Sequence, residues 1–439
     1  MLQPNDNTSF LNPDPPFLSC SQTLKMFLDE QDEIPWPALQ YVTGDINYGG
    51  RVTDDLDRRC IRVILRQYYT PALVESEGYK FSRSGIYYSP DVPDVGGVME
   101  YVNALPTSDD PEVFGMNNNA NKSFQLQETR KIIETVLSIQ PRMTSGGSGK
   151  TPEETILEMA AEMAAAMPGE LKQDEAAEGM FDRNAEGQMA SLAIVLLQEM
   201  ERFNKLLNAI TGSLSDLQKA IKGLVVMSGE LESMFNSMLN NTVPELWTKA
   251  SYPSLKPLSS YVKDFHERMA FMHSWLHDGM PRCYPLPSFF FPQGFMTGML
   301  QTHARKYAIP IDTLNIAYEV QAAETLEEVE AGPEDGVFVN GLFVDSARWD
   351  REKKCLAEAL PGVMYDTLPV VHFRPEANYI TPPELYECPL YKTLLRAGVL
   401  NTTGQSTNFV GCVGLPVQEG TDPNFWVLQG SALMCALRE

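Results

Sequence analysis

The stretch MTSGGSGKT, residues 143–151, comes nearest to chemistry. Its end, Gly149-Lys150-Thr151, matches the close of a phosphate-binding loop, G-x-x-x-x-G-K-[ST], whose backbone N–H groups cradle phosphate oxygens. The first glycine of that pattern falls on Thr144, which lacks glycine's easy access to positive φ. A buried strand should precede the loop. Here TRKIIETVLSIQ has the spacing of an amphipathic helix, and Pro141 and Arg142 intervene. Pro152 follows Thr151 and removes a donor from the turn where phosphate would be received. A helix start explains more of the residues: Thr151 as N-cap, Pro152 at N1 and Glu154 at N3, a capping box. Glutamates there complement the helix dipole and repel a triphosphate. Gly146, Gly147 and Gly149 then read as linker glycines. The alternative is a stand-alone P-loop protein using residues 144–151.

Other constellations are weaker. His273 and His277 stand four apart, a spacing that could chelate a metal on one helical face, with His266 nearby. No glutamate follows the first histidine, so the metalloprotease pattern is absent, and surface or core histidines are the preferred reading. Ser406 sits in a Gly-x-Ser setting (TGQST, 403–407), but Asn408 occupies the second glycine of a nucleophile elbow, so a turn is expected. Asp54-Asp55 and Asp109-Asp110 read as caps or turns. The residues therefore nominate no catalytic, cofactor-binding or metal-binding side chain.

Composition narrows the classes. The 439 residues suffice for two or three domains, and 43% hydrophobic content opposes global disorder. A formal charge of −24 disfavours nucleic acid and acidic membrane surfaces as partners. Cysteines at 20, 60, 283, 355, 388, 412 and 435 form no CxxC pair, which fits a reducing compartment. No basic-then-apolar leader opens the sequence, and no apolar run reaches the ~20 residues of a membrane helix. The expectation is a soluble intracellular chain.

The elements that would carry any site fall into two textures. Residues 1–20 read as an irregular leader, with Ser21 capping the first helix. Helices follow at about 36–46, from Asp54 or Asp55 to Tyr68, at about 96–104 and at about 121–139, with an ordered loop over 76–98. After the 143–155 linker and cap, a helix carries Ile156, Met159, Ala160, Met163 and Met167. The acidic stretch 170–187 reads as a mobile connection. Leu196, Met200, Phe203, Leu207, Ile210, Leu214, Leu217, Ile221 and Leu224 then recur in steps of four and three. Unbroken over 188–240, that helix would be about 80 Å long, with Gly212, Gly223 and Gly229 as candidate kinks. Its seam predicts packing on other helices of the same chain in preference to a coiled-coil dimer. Shorter helices fill about 244–278, and one more spans about 293–307.

From residue 309 alternation takes over. VFVNGLFV (337–344) predicts a hairpin turning at Asn340-Gly341, and further strands are expected at 316–320, 369–374, 408–415 and 430–437. The fold class is therefore α+β: helices first, one of them long, then a small incomplete antiparallel β-barrel of about six strands.

Several long strings resemble the C-terminal end of dynein heavy chains, the axonemal ones in particular. They are YVTGDINYGGRVTDDLDRR (41–59), PEVFGMNNNAN (111–121), AIKGLVVMSGELE (220–232), SYPSLKPLSSYV (251–262), FFFPQGFMTGMLQTHARKYAIPID (289–312), DGVFVNGLFVDSARWD (335–350) and CPLYKTLLRAGVLNTTGQSTNFV (388–410). They run in family order from about residue 24 to the end. Gln405, where the family usually has His, and PLPSFFF are local departures. The resemblance implies a helical lid of the sixth AAA+ module over 21–142, the helical part of the C-terminal domain over 156–290 and its β part over 291–439. It implies a fragment of an ATP-driven, minus-end-directed microtubule motor of the cytoskeleton and the ciliary or flagellar axoneme. ATP and Mg, and the enzyme activity, would belong to the parent motor and not to this stretch. Its partners would be the other AAA+ modules and, through the parent complex, intermediate and light chains and microtubules. A ring-free scaffold derived from dynein is the remaining alternative.

Overall fold

The computed structural model describes residues 15–92, 94–139, 151–396, 398–400 and 406–437. Among them no helix is long and apolar enough to cross a membrane.

The first segment is helical. α1 (Pro15–Glu30) opens on two prolines, whose missing N–H groups are harmless in a first turn. The helix therefore starts ahead of the expected cap. Ser21 lies within it, and its hydroxyl donates to the Phe17 carbonyl at 2.9 Å. α2 (Trp36–Tyr41) runs into a π-turn at Val42–Asn47. α3 (Asp55–Tyr68) is capped by Asp54, whose carboxylate accepts from the N–H groups of Leu56 at 2.8 Å and Asp57 at 3.3 Å. α4 (Ala72–Glu75), α5 (Val95–Ala104) and α6 (Asn119–Ile139) complete the segment.

A helical layer follows: α7 (Pro152–Ala166), α8 (Ser191–Ile221), α9 (Gly229–Leu239), α10 (Glu245–Thr248) and α11 (Leu258–Asp278). α8 is its spine. Leu196, Met200, Phe203, Leu207, Ile210, Leu214 and Leu217 are all buried. α7, α9, α10 and α11 pack around them, so the seam is covered within one polypeptide. The helix is not unbroken over 188–240: it is interrupted at Gly223, one of the candidate kinks, and resumes at Gly229, another. α8 has 31 residues, about 46 Å at 1.5 Å each. It stops at the Lys222 cap because Gly223 adopts φ +74°, which lets the Leu224 N–H reach back to the Lys219 carbonyl at 2.9 Å. Leu224, next in the repeat, is 74% exposed. Gly212 passes through α8 without a break, and α9 starts afresh from the Ser228 cap.

The acidic stretch 170–187 is pinned, contrary to its expected mobility. Asn204 of α8 accepts from the Leu171 N–H at 2.9 Å and donates to the Leu171 carbonyl at 2.8 Å. The Ala177 N–H donates to the Leu276 carbonyl at 2.7 Å. Satisfied backbone groups hold this segment where composition offered few apolar anchors. On α11, buried Arg268 bonds Asp264 at 2.7 Å and lies 3.7 Å from the Tyr252 ring centre. Burial pushes the Asp264 carboxyl up, but Arg268 and Lys256 outweigh it and hold the group below the usual value.

The last segment holds β1 (Cys283–Pro285), α12 (Pro292–Tyr307), β2 (Leu314–Val320), β3 (Val337–Asn340), β4 (Phe343–Asp345), β5 (Ala347–Asp350), β6 (Cys355–Glu358), β7 (Tyr365–Thr367), β8 (Val371–Ala377), β9 (Leu385–Thr393), β10 (Phe409–Pro416), α13 (Asn424–Leu428) and β11 (Ala432–Ala436). One sheet has the order β1-β3-β8-β2, a second β10-β9-β11-β4-β7, and β5 pairs with β6 alone. The class is mixed helix and sheet, helices first, but the sheets do not close into a barrel. Nor are they purely antiparallel: β1 runs parallel to β3, and β11 to β9.

VFVNGLFV is not a hairpin. β3 belongs to the first sheet and β4 to the second, so the backbone switches sheets at Asn340-Gly341. Only Gly341 has positive φ, whereas a type I′ turn needs it at both residues. Leu342 is 1% exposed, and burying it in the core carries the backbone across. Buried Glu199 of α8 ties the two regions together by accepting from the N–H groups of Phe290 at 2.6 Å and Phe291 at 3.2 Å, just ahead of α12. Burial raises its pKa against those bonds and the Arg202 charge.

The break at Gly223 separates two otherwise similar leucines. Leu214→Ala should lower the free energy of urea unfolding by about 2–5 kcal/mol. Leu224→Ala should stay within about 0.5 kcal/mol of the wild type. Equal losses would show that the seam continues past residue 222.

Candidate functional site

The described residues among those singled out for chemistry are engaged in local structure. Positions 144–150 of the phosphate-loop candidate lie outside the described residues. Thr151 is described, and its hydroxyl accepts from the Glu154 N–H at 3.2 Å while Glu154 accepts from the Thr151 N–H at 3.0 Å. That is the expected capping box with Pro152 in the first turn. His273 Nε2 bonds the Gly169 carbonyl at 3.2 Å, and His277 Nδ1 bonds the Glu175 carbonyl at 2.7 Å. The stacked pair thus pins the acidic strap. His266 packs its ring edge-on against Phe265. Ser406 Oγ accepts from the N–H groups of Gly398 at 3.0 Å and Asn408 at 3.2 Å, stapling a loop. Asp54 caps α3, and Asp110 accepts from the Glu112 N–H at 3.3 Å.

What the fold brings together is different: the first helical segment meets the strands. α3 supplies an apolar face of Leu56, Cys60 and Val63, spaced four and three apart. Val63 is buried in the main core with half-buried Cys60 against it, and Leu56 packs on Tyr391, Ala432 and Met434. α13 lies against the same helix. Arg59, on that face, donates to the Glu387 carbonyl at 2.8 Å and stands 5.5 Å from the Tyr386 ring centre. Arg83 pairs with Glu358 at 2.8 Å, with Phe425 5.0 Å away.

The loop ahead of α6 and the first residue of that helix complete the contact. Asn119 is 5% exposed. Its amide donates to the carbonyls of Leu360 and Val363, both at 3.0 Å, and accepts from the Gly362 N–H at 2.9 Å. Asn117 donates to the Ser346 carbonyl at 3.2 Å and accepts from the Asn119 N–H at 2.9 Å. Gln429 donates to the Gly115 carbonyl at 2.7 Å. Gly115 has φ +81°, and a Cβ there would fall 2.9 Å from Leu428. Tyr68 Oη holds the loop from its other side by donating to the Val113 carbonyl at 2.7 Å. Glu112 joins in by accepting from the Ser84 N–H. Burial pushes the Glu112 carboxyl up, but its Ser84 and Ser82 bonds and the Arg83 charge bring it below the usual value.

This arrangement can transmit force. Buried side-chain-to-backbone bonds contribute about 0.5–1.5 kcal/mol each, but breaking one partner orphans the other at about 1–3 kcal/mol. Displacement of the helical segment therefore drags residues 346, 360–363, 387 and 429 with it. Asn117 and Asn119 stand between the helices expected at about 96–104 and about 121–139, where no periodicity or motif nominates a side chain. Three consecutive asparagines, each able to satisfy backbone groups, were the available signal.

Asn119→Ala should speed amide exchange at Gly362 about tenfold or more, because the buried N–H loses its acceptor. Asn118→Ala, at an exposed neighbour, should leave Gly362 unchanged in the same hydrogen-exchange measurement. Unchanged exchange in both variants would mean that Asn119 does not clasp the loop.

A family model described as the AAA lid domain of the dynein heavy chain matches residues 9–120, and one described as the C-terminal domain of the dynein heavy chain matches 126–435. Human dynein axonemal heavy chain 6 is 48% identical over 435 residues, covering 95% of this chain and 10% of that relative. Mouse dynein axonemal heavy chain 1 is 46% identical over 420 residues, again 95% of this chain and 10% of the relative. Mouse dynein axonemal heavy chain 12 is 42% identical over 415 residues, 94% of this chain and 13% of the relative. The chain thus spans about a tenth of the length of these curated relatives.

Proposed function

The chain belongs to the dynein heavy chains, as their AAA lid and C-terminal domain, and from that premise we propose that its work is mechanical. It serves as a structural and regulatory part of an ATP-driven, minus-end-directed microtubule motor of the axoneme of cilia or flagella. The lid occupies 21–142, a linker and cap 143–155, and the C-terminal domain 156–290 and 291–439. ATP and Mg act in other AAA+ modules, and this stretch contributes no catalytic, cofactor or metal ligand. Its direct partners are those modules. Intermediate chains, light chains and microtubules are reached through the parent complex, and neither nucleic acid nor membrane is a partner.

The observation that carries this reading is the Asn119 clasp and the α3 docking face beside it. Lid and C-terminal domain share buried bonds and one apolar core, so a rotation of the lid is delivered to the sheets instead of being absorbed in a hinge. The domain then braces the ring and tunes how its closure becomes movement.

In a full-length heavy chain, the double substitution Asn119→Ala with Arg59→Ala should lower microtubule gliding speed more than it lowers ATP turnover. Gliding speed per ATP hydrolysed equal to that of the wild type would refute the coupling role.

A further inference from the structure

A cavity of about 10 Å³ lies where the helical layer, the stretch ahead of α12 and the second sheet meet. That is room for one water-sized particle. Its lining includes Arg268 of α11, Lys392 of β9, Cys435 of β11, Tyr252, Phe289 and Phe290. The charges there do not balance. Arg268 is 5% exposed, and among the described residues its guanidinium makes one hydrogen bond, from Nε to Asp264 at 2.7 Å. Its terminal N–H groups are left over. Half-buried Lys392 has no carboxylate partner among the described residues, and its ammonium stands 5.8 Å from the Phe291 ring centre. Burial holds that ammonium below its ordinary value. Cys435 faces both cations but gives no counter-charge, because burial pushes its thiol up to about 12. Two carboxyls join the lining. Asp264 is shared between Arg268 and Lys256, the latter at 3.2 Å, and Glu199 is engaged by Arg202 at 2.9 Å. Four cations thus stand against two carboxyls, inside a chain whose formal charge is −24. Tyr252 adds a buried hydroxyl that has no hydrogen-bond partner.

We propose that this cavity is a binding site for one chloride ion, held between Lys392 and Arg268. The site goes beyond the mechanical reading and does not rest on it. A desolvated cation needs a counter-charge as well as a hydrogen-bond acceptor, and a water molecule supplies only the second. Chloride supplies both, and it is little larger than water. It accepts from N–H and O–H donors in any direction, so the ammonium, the leftover guanidinium N–H groups and the Tyr252 hydroxyl can all serve it. Phosphate and sulfate are too large for the space, and a metal cation would meet two like charges. The remaining walls, Phe289 and Phe290, exclude water and so strengthen each charge–dipole contact. Once seated, the ion would join α11 to β9 through their cationic side chains, where no carboxylate among the described residues bridges them.

Crystals of the 439-residue chain grown with sodium bromide in place of sodium chloride test this. Anomalous diffraction at the bromine edge should show a peak inside the cavity, within hydrogen-bond reach of Lys392 Nζ. A cavity that is empty or holds water alone would overturn the proposal, as would bromide on the surface as an adventitious ion only. Chloride NMR gives a second readout in solution. The wild type should broaden the chloride line, added bromide should sharpen it again, and Lys392→Met should lose the broadening. Lys205→Met removes the same charge from an exposed position of α8 and should keep it. Equal broadening by the wild type and both variants would overturn the site. Should Lys392→Met fail to fold, the bromide map of the wild type decides alone. Neither readout uses gliding or ATP turnover, so the anion site and the lid coupling stand or fall separately.

Discussion

A buried side-chain amide must find its partners inside the protein, and Asn119 finds them on residues 360–363. Both of its N–H groups and its oxygen are used on backbone more than two hundred residues away in sequence. Such a contact is a matter of register as much as strength. Any slip between helix and loop orphans several groups together, so the interface has one good arrangement and steep walls around it. Apolar contact alone, such as Leu56, Cys60 and Val63 provide, would permit sliding.

That fixed contact matters because of what lies behind it. Arg59 holds the Glu387 carbonyl in β9. β9 pairs with β10, and Gln293 at the start of α12 donates to the Phe409 carbonyl in β10 at 2.8 Å. Just ahead of α12, Phe290 and Phe291 give their N–H groups to Glu199 on α8. A continuous route of bonded elements therefore runs from the lid to the spine of the C-terminal domain. Glu199 is kept as a carboxyl-bearing residue in the core at a desolvation cost that two backbone donors and Arg202 offset only in part. An apolar residue there would pack without tying α8 to α12.

The sequence made local structure legible wherever the signal was periodic or positional. The Thr151 capping box, the Asp54 cap and the stretches that became α5, α6 and α12 follow from spacing and cap chemistry. The pattern misleads where a single residue or a tertiary contact overrides it. The seam of α8 continued into Leu224 on paper, but Gly223 supplied the positive φ that ends a helix. Asn340-Gly341 looked like a hairpin turn, yet burial of Leu342 sends β3 and β4 to different sheets. β9, the longest strand among the described residues, carries Pro389, a residue that argues against a central strand in the sequence. The clasp was invisible for a different reason. An asparagine's partners on a loop some 240 residues onward leave no periodic trace.

The most direct test of the central claim is a distance distribution between the lid and the C-terminal domain. Spin labels at exposed Glu100 on α5 and exposed Glu419 after β10 report on the lid and on the sheet-bearing segment. Double electron–electron resonance on the wild-type protein should give one narrow distance, and Asn119→Ala should broaden it. A wild-type distribution as broad as the variant's would contradict the account, because the lid would then already move freely against the sheets.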